Sequence, residues 1–562
     1  MSRLLLLGAV VAACSGGARP PAATRPRAPQ LPPPIAIDGR ARGAAYLTAV
    51  AAQLQPPWGQ FLEDCRVRLA PEHPLNIATL EARADVAIDR LGKLTVIGVT
   101  TSGLADFDLV VRQILADQGR VPPPPVELLG DDDQLHLRWL FARDLRQAGP
   151  ATAEVTVVEL PVLGVTQKLL ARGDLARAAR RAAAAKPDDP EREAAAEAVM
   201  IAALGEALGA AGAAARTTAV EAIGRIAGKG RGLAAQVRAF LAPTVDTELR
   251  LAAVRAAARL RDASAAPIIA RQLPSDLVSY PRIALAEVAA LVELGARDEA
   301  AGAIQRALDA DPKSPSVPAL QAHALVPLPA LAPKLARWFA AGDARTRAGV
   351  CASVPHQTED PTPAYVVRGL RDADARVRAS CVDAAARQGR ARATAEVVRR
   401  LRELAADRDR EVRSRAVAAL ATLDGTRATR ATSDPAPEVR AAAIASASES
   451  ELRALATDPD PDVRAAVVGR LADRAPELLA RAAADVAPQV RRAAALALAD
   501  EDTLARLATD VASEVATEAQ ISLAARRGRA ASTAPLLGQL AAAPSGSAER
   551  VRIALAWLLA GP

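Results

Sequence analysis

At 562 residues the chain is longer than one hydrophobic core usually organises, so several folding units, or an extended array with an appended domain, are expected. Aromatic residues make up only 2% and hydrophobic residues 51%, with alanine and arginine abundant, which suits many small-residue helices packed closely together. The net charge of +7 is the small difference between 71 basic and 64 acidic residues of interspersed sign, so a polyanion-binding stripe, and with it nucleic acid as a partner, is not expected.

Arg3 precedes an apolar run from Leu4 to Ala13 that is too short to cross a bilayer but has the length of a signal-peptide core. The run ends in Val11-Ala12-Ala13-Cys14, which resembles the bacterial lipobox. That resemblance implies that residues 1–13 are a lipoprotein signal peptide and that the Cys14 thiol is lipidated, giving an exported, lipid-anchored envelope protein. An ordinary secretory signal with an incidental cysteine is the alternative. Ser15 in place of Asp after the cysteine points to the outer membrane. Residues 14–43 carry seven prolines between Pro20 and Pro34 and read as an extended linker, with a reach on the order of 80 to 90 Å at about 3.1 Å per residue.

Half of the aromatic residues (Tyr46, Trp58, Phe61, Phe107, Trp139, Phe141) fall in 44–146, so this stretch is expected to form a domain with its own core. A helix is expected over Ala44 to Gln55, stopped by Pro56 and Pro57. A hairpin follows, from Asp85–Asp89 and Leu94–Thr101 around Gly92. Asp106 is placed to cap a helix over Phe107 to Leu115, and Gln134 to Phe141 alternates as a strand with Leu135, Leu137, Trp139 and Phe141 on one face. The order α-β-β-α-β, with Tyr46, Pro56-Pro57-Trp58, Leu91-Gly92-Lys93, Ser102-Gly103, Phe107-Asp108 and the prolines from Pro122 to Pro125, resembles the C-terminal domain of TonB and TolA. The resemblance implies partner binding through peptides or strands added to a three-stranded sheet. Those proteins carry a transmembrane helix where this chain has a lipobox, so binding carries over and force transduction does not. A structural capping role for the module is the alternative. Residues 147–195 are a transitional, partly helical segment.

From 196 to 562 the sequence repeats. Val377, Val412, Val439, Val463, Val490 and Val515 recur every 24 to 35 residues, each with an aspartate five positions earlier: Asp372, Asp407, Asp434, Asp458, Asp485 and Asp510. In five of the six units the next residue is arginine (Arg378, Arg413, Arg440, Arg464, Arg491), and Ala516 breaks the series. Apolar residues at i, i+4 and i+8 from each valine make a buried helical stripe, and Pro437, Pro461 and Pro488 mark first turns. This pattern resembles HEAT repeats and, in the shorter later units, variant leucine-rich repeats. The fold class expected is therefore mainly α: a HEAT-like solenoid after a small α+β domain. The motif Asp is expected to accept hydrogen bonds at a turn, and the motif Arg to tie neighbouring layers together.

No catalytic, metal or cofactor site is expected. Gly228-Lys229-Gly230-Arg231-Gly232 lacks phosphate-loop spacing, and His73, His136, His323 and His356 are far apart. Cys65, Cys351 and Cys381 are expected to be unpaired and buried, with pairing of Cys351 and Cys381, about one repeat apart, as the alternative. Together these readings lead to a non-enzymatic scaffold or adaptor for envelope proteins; a solenoid resembling enzyme-associated bilin lyases is the alternative.

Overall fold

The computed structural model describes residues 43–130, 133–143, 154–157, 161–311, 313–355, 362–423, 425, 430–471, 475–498 and 500–561. Cys14, nearly all of the proline-rich linker and His356 lie outside them. The chain divides into two compact units, 1–195 and 196–562.

The first unit opens with helix α1 (Ala44–Arg68), which does not stop at Gln55 but runs through Pro56 and Pro57. An interior proline costs about 3 kcal/mol. One continuous stripe (Leu47, Val50, Leu54, Trp58, Phe61, Leu62, Cys65) is buried along the whole length of the helix, and that burial outweighs the local cost. Strands β1 (Glu81–Asp89) and β2 (Leu94–Thr100) form the hairpin. At its turn Gly92 has φ +77°, and a Cβ there would meet the Val121 carbonyl oxygen at 2.0 Å, so only glycine fits. Helix α2 (Ala105–Gln118) is preceded by Leu104, and Asp106 lies inside its first turn rather than at the cap. Asp108 instead accepts from the Ser102 amide at 2.8 Å, closing the loop that enters the helix.

Strand β3 (Gln134–Ala142) pairs with β1, and a fourth strand, β4 (Glu154–Val157), pairs with β3. The sheet order is β2-β1-β3-β4, antiparallel throughout, so the sheet has four strands and not three. Glu-Val-Thr-Val is rich in β-branched residues, and by pairing it satisfies amides and carbonyls that β3 would otherwise leave open. The core is aromatic: Trp58 meets Phe107 and Phe141 edge-on, with ring centroids 5.5 and 5.1 Å apart.

The second unit is a stack of helical layers. The second helices of successive layers are α3 (Ala213–Ile226), α4 (Thr247–Leu260), α5 (Pro281–Glu293), α6 (Val317–His323), α7 (Ala344–Ala352), α8 (Ala375–Gln388), α9 (Arg410–Leu423), α10 (Pro437–Ala443), α11 (Pro461–Leu471), α12 (Pro488–Ala497), α13 (Ser513–Ala542, bent at Gly528) and α14 (Ala548–Leu559). Each packs on the next, whereas late first helices such as Glu449–Leu455 and Pro476–Ala482 pack mainly on their own partners. Helices inside a curve crowd together and those outside spread apart, so α3 to α13 line the concave side.

The array also closes. α14 packs back on α3. Lys229 Nζ donates to the Leu558 carbonyl at 2.8 Å, Arg550 reaches Glu206 at 2.5 Å, and Ser545 donates to the same Glu206 carboxylate. From Arg550 to Leu558 α14 is buried except at the half-buried Arg552, so over that stretch it closes the circuit without presenting an exposed face.

Candidate partner-binding surface

All six motif valines are at most 1% exposed, and Val463, Val467 and Leu471 line one buried stripe of α11. The motif aspartates and arginines form a row of paired charges across the layers. Asp372 closes a turn by accepting the Asp374 amide at 2.9 Å; Asp407, Asp434, Asp458, Asp485 and Asp510 accept the amides of Asp409, Ala436, Asp460, Ala487 and Ala512 in the same way. Each carboxylate also takes a two-pronged grip from the arginine of the preceding layer. Arg378 holds Asp407, Arg413 holds Asp434, Arg440 holds Asp458, Arg464 holds Asp485 and Arg491 holds Asp510, at N to O distances of 2.7 to 2.9 Å. Asp372 is held in the same way by Arg347 of the preceding layer.

The third guanidinium nitrogen returns to the arginine's own turn. Arg464 Nη1 donates to the carbonyls of Asp458 and Pro459 at 2.8 and 3.2 Å, and the other four motif arginines repeat this. Each arginine therefore ties its own turn to the next layer. Burial pushes the carboxyls of Asp372, Asp407, Asp434 and Asp458 up, but the guanidinium and the turn amide outweigh it and all four titrate below the usual range. For Asp485 and Asp510 the arginine hydrogen bond is the largest influence, again downward. Beside Arg464 and Asp485 lies a groove of about 350 Å³, lined also by Val467, Val468, Leu478 and Val490.

A different polar knot joins the earlier layers. Arg250 is gripped by Asp276 and Glu287, all three side chains at most 3% exposed, and donates to Gln272. Burial first, then the neighbouring Asp276 charge, push the Glu287 carboxyl well above the usual range against the opposing pull of Arg250. Cys351 and Cys381 are bonded as a disulfide between α7 and α8, with Cα atoms 5.0 Å apart, which corrects the expectation of free thiols. Packing of consecutive layers sets that separation, which residue spacing alone did not fix. Cys65 is a free, buried thiol.

Among the described residues no group of His, Cys, Asp and Glu could hold a metal ion, and no helix is long and apolar enough to cross a membrane. Gly228 to Gly232 lie in a 3-10 segment at the closure, where Lys229 caps α14.

The motif charges are thus spent between layers. What the concave helices offer outward is a second set of side chains. Some pair across layers, as Arg415 does with Asp383, Arg410 with Glu438 and Arg492 with Glu518; others, such as Arg255 and Arg259, stand exposed and unpaired among the described residues.

Residues 196–562 form an α-helical repeat solenoid. No protein family and no curated protein matches the sequence. Solved structures that align with it include an engineered protein (18% identity over 65% of this chain and 98% of that one, TM-score 0.20). Kap95p, described as inducing RanGDP switch loops to adopt the GTP-bound conformation, aligns at 14% identity over 68% of this chain and 57% of its own, with a TM-score of 0.25. A Kap121p mutant aligns at 16% over 66% and 50%, with a TM-score of 0.28. The alignment thus spans about half the length of the two Kap proteins.

Proposed function

We propose that this protein is a non-enzymatic scaffold of the bacterial cell envelope, lipid-anchored through Cys14, that holds protein partners on the concave face of its solenoid. The observation that carries the binding part is the division of labour among its charges: the motif Asp and Arg are consumed between layers, while the concave helices present an independent, largely charged surface. A surface built on stacked, rigid layers is what repeat proteins use to hold other proteins. Export is supported by the Leu4 to Cys14 pattern and by the Cys351–Cys381 disulfide, since such bonds persist in oxidising compartments.

The 44–146 module keeps its likeness to the TonB and TolA C-terminal domains as a proposal, and one feature favours a second contact there. Among the described residues β2 is a sheet edge covered only at its start, where Leu94 and Gly92 bond to Gly119 and Val121, and Ile97 on it is 55% exposed. An extended peptide can add to the rest of that edge.

Two measurements test the reading. Labelled fatty acid should enter the protein and fail to enter Cys14→Ser; equal labelling removes the anchor. Cross-linking in cells followed by mass spectrometry should capture envelope proteins through solenoid residues, and capture confined to cytosolic proteins refutes the assignment.

A further inference from the structure

The closure of the solenoid decides what kind of partner can reach its concave face. Twelve helices among the described residues, α3 to α14, succeed one another in an unbroken circuit. Packed helices stand about 8 to 10 Å apart, so a round circuit of this many has an axis-to-axis diameter of about 35 Å. Each helix with its side chains fills about 5 Å inward of its axis, leaving an opening of about 25 Å. A compact domain of 100 residues, with a radius of gyration of about 13 Å, is about 35 Å across and does not fit. A helix about 10 to 12 Å wide does.

The side chains facing that opening carry a local excess of positive charge next to the closure. α4 is buried along its flanks and back by its neighbours, and beyond its first turn its exposed residues are Arg255 and Arg259, one helical turn apart. α3 lies against this face: a Cβ at Gly224 would sit 3.3 Å from Ala256 and 3.8 Å from the Arg259 side chain. The next residue, Arg225, shares the nearly buried Glu518 with Arg492, at 3.4 and 3.3 Å. Glu518 is thus already committed to two guanidiniums, Glu221 and Glu293 are the exposed carboxylates of the flanking α3 and α5, and Arg255 and Arg259 have no partner among the described residues.

Resting on the scaffold reading, we propose that the partner is an acidic helical or extended segment of another protein that enters the ring end-on and is held by Arg255 and Arg259. A folded domain gripped from the side is excluded by the closure.

The test uses the full chain and a fluorescent poly-L-glutamate of about 20 residues as probe, read by anisotropy. Binding is expected, with poly-L-lysine of equal length failing to bind. Arg255→Glu with Arg259→Glu should weaken binding roughly tenfold or more. The same reversal at Arg271 and Arg337, exposed on first helices outside the circuit, should leave it unchanged. Arg255→Gln with Arg259→Gln provides the milder variant should the reversal disturb folding. A second arm carries folded domains on the probe. A domain at one end should be tolerated, and domains at both ends should abolish binding. If the doubly blocked probe binds as well as the free one, entry is from the side and the closed-ring inference fails while the scaffold reading stands. No binding of poly-L-glutamate, or equal binding by the reversed variant, overturns the assignment of an acidic segment. Failure to capture any protein in cells is the separate outcome that would remove the scaffold reading itself.

Discussion

Replacing Arg464 by alanine tests whether the interlayer charges hold the solenoid together. The side chain makes two hydrogen bonds to Asp485 and two to backbone carbonyls of its own turn, and both charged groups are about 15% exposed. Breaking a fully buried pair costs about 3 to 5 kcal/mol, because the survivor is left without a partner. Asp485 keeps the Ala487 amide and some contact with water, so the expected loss is about 2 to 3 kcal/mol. Arg453 is the internal control: it also forms two ion pairs, to Glu449 and Glu477, but all three groups are 43 to 60% exposed. Arg453→Ala should therefore cost under about 1 kcal/mol. Urea denaturation gives both numbers, and hydrogen exchange should place the Arg464 damage in the layers of α10 to α12. The acid side carries a signed expectation as well. Asp485 titrates low chiefly because of Arg464, so the stability this pair contributes is present above the ordinary carboxylate range and is lost as pH falls through the lowered value. The gap between the natural protein and Arg464→Ala should then narrow below about pH 4. If Arg464→Ala costs no more than Arg453→Ala, these arginines are not structural ties and belong to the binding surface.

Glu287→Gln should stabilise the protein increasingly as pH rises. The natural carboxyl titrates above its ordinary value, so its contribution is fully present below the ordinary carboxylate range and is lost as pH rises toward the raised value, a trend that thermal melts at several pH values can read; a pH-independent difference between the two proteins would refute it. Val463→Asp should cost several kcal/mol, seen as a lower urea midpoint, because the side chain is fully buried against Val467, Leu452 and Leu455; a cost under about 1 kcal/mol would remove Val463 from the core. Thiol alkylation of the unfolded chain without reductant should label Cys65 and spare Cys351 and Cys381, and labelling of all three would remove the disulfide.

The layer architecture was legible in sequence because its determinants are local and repeated. An aspartate five residues before a valine writes a turn and a first helical turn, and both are closed by groups within a few residues. Features that depend on distant chain were not legible. Pro56 and Pro57 read as a stop because the burial of Trp58 and Phe61 against Phe107 and Phe141 cannot be seen from residues 44–68. β4 was missed because four residues are too few for a period, and only β3 gives them a partner. The closure joins residues some 293 to 344 positions apart. Its one trace in the sequence is α14, whose Ile553-Ala554-Leu555-Ala556-Trp557-Leu558 leaves no polar outer face for a terminal helix.

That closed circuit changes how the array should come apart. A linear stack of repeats frays: its terminal units have one neighbour, open first, and need a polar cap. Here α3 and α14 are each other's neighbours, so none of the twelve layer helices is an end and none can peel away by breaking a single junction. Release of any run of layers requires two junctions to fail together, so weakening one interface should leave the circuit whole, and two weakened interfaces should cost more than the sum of each alone.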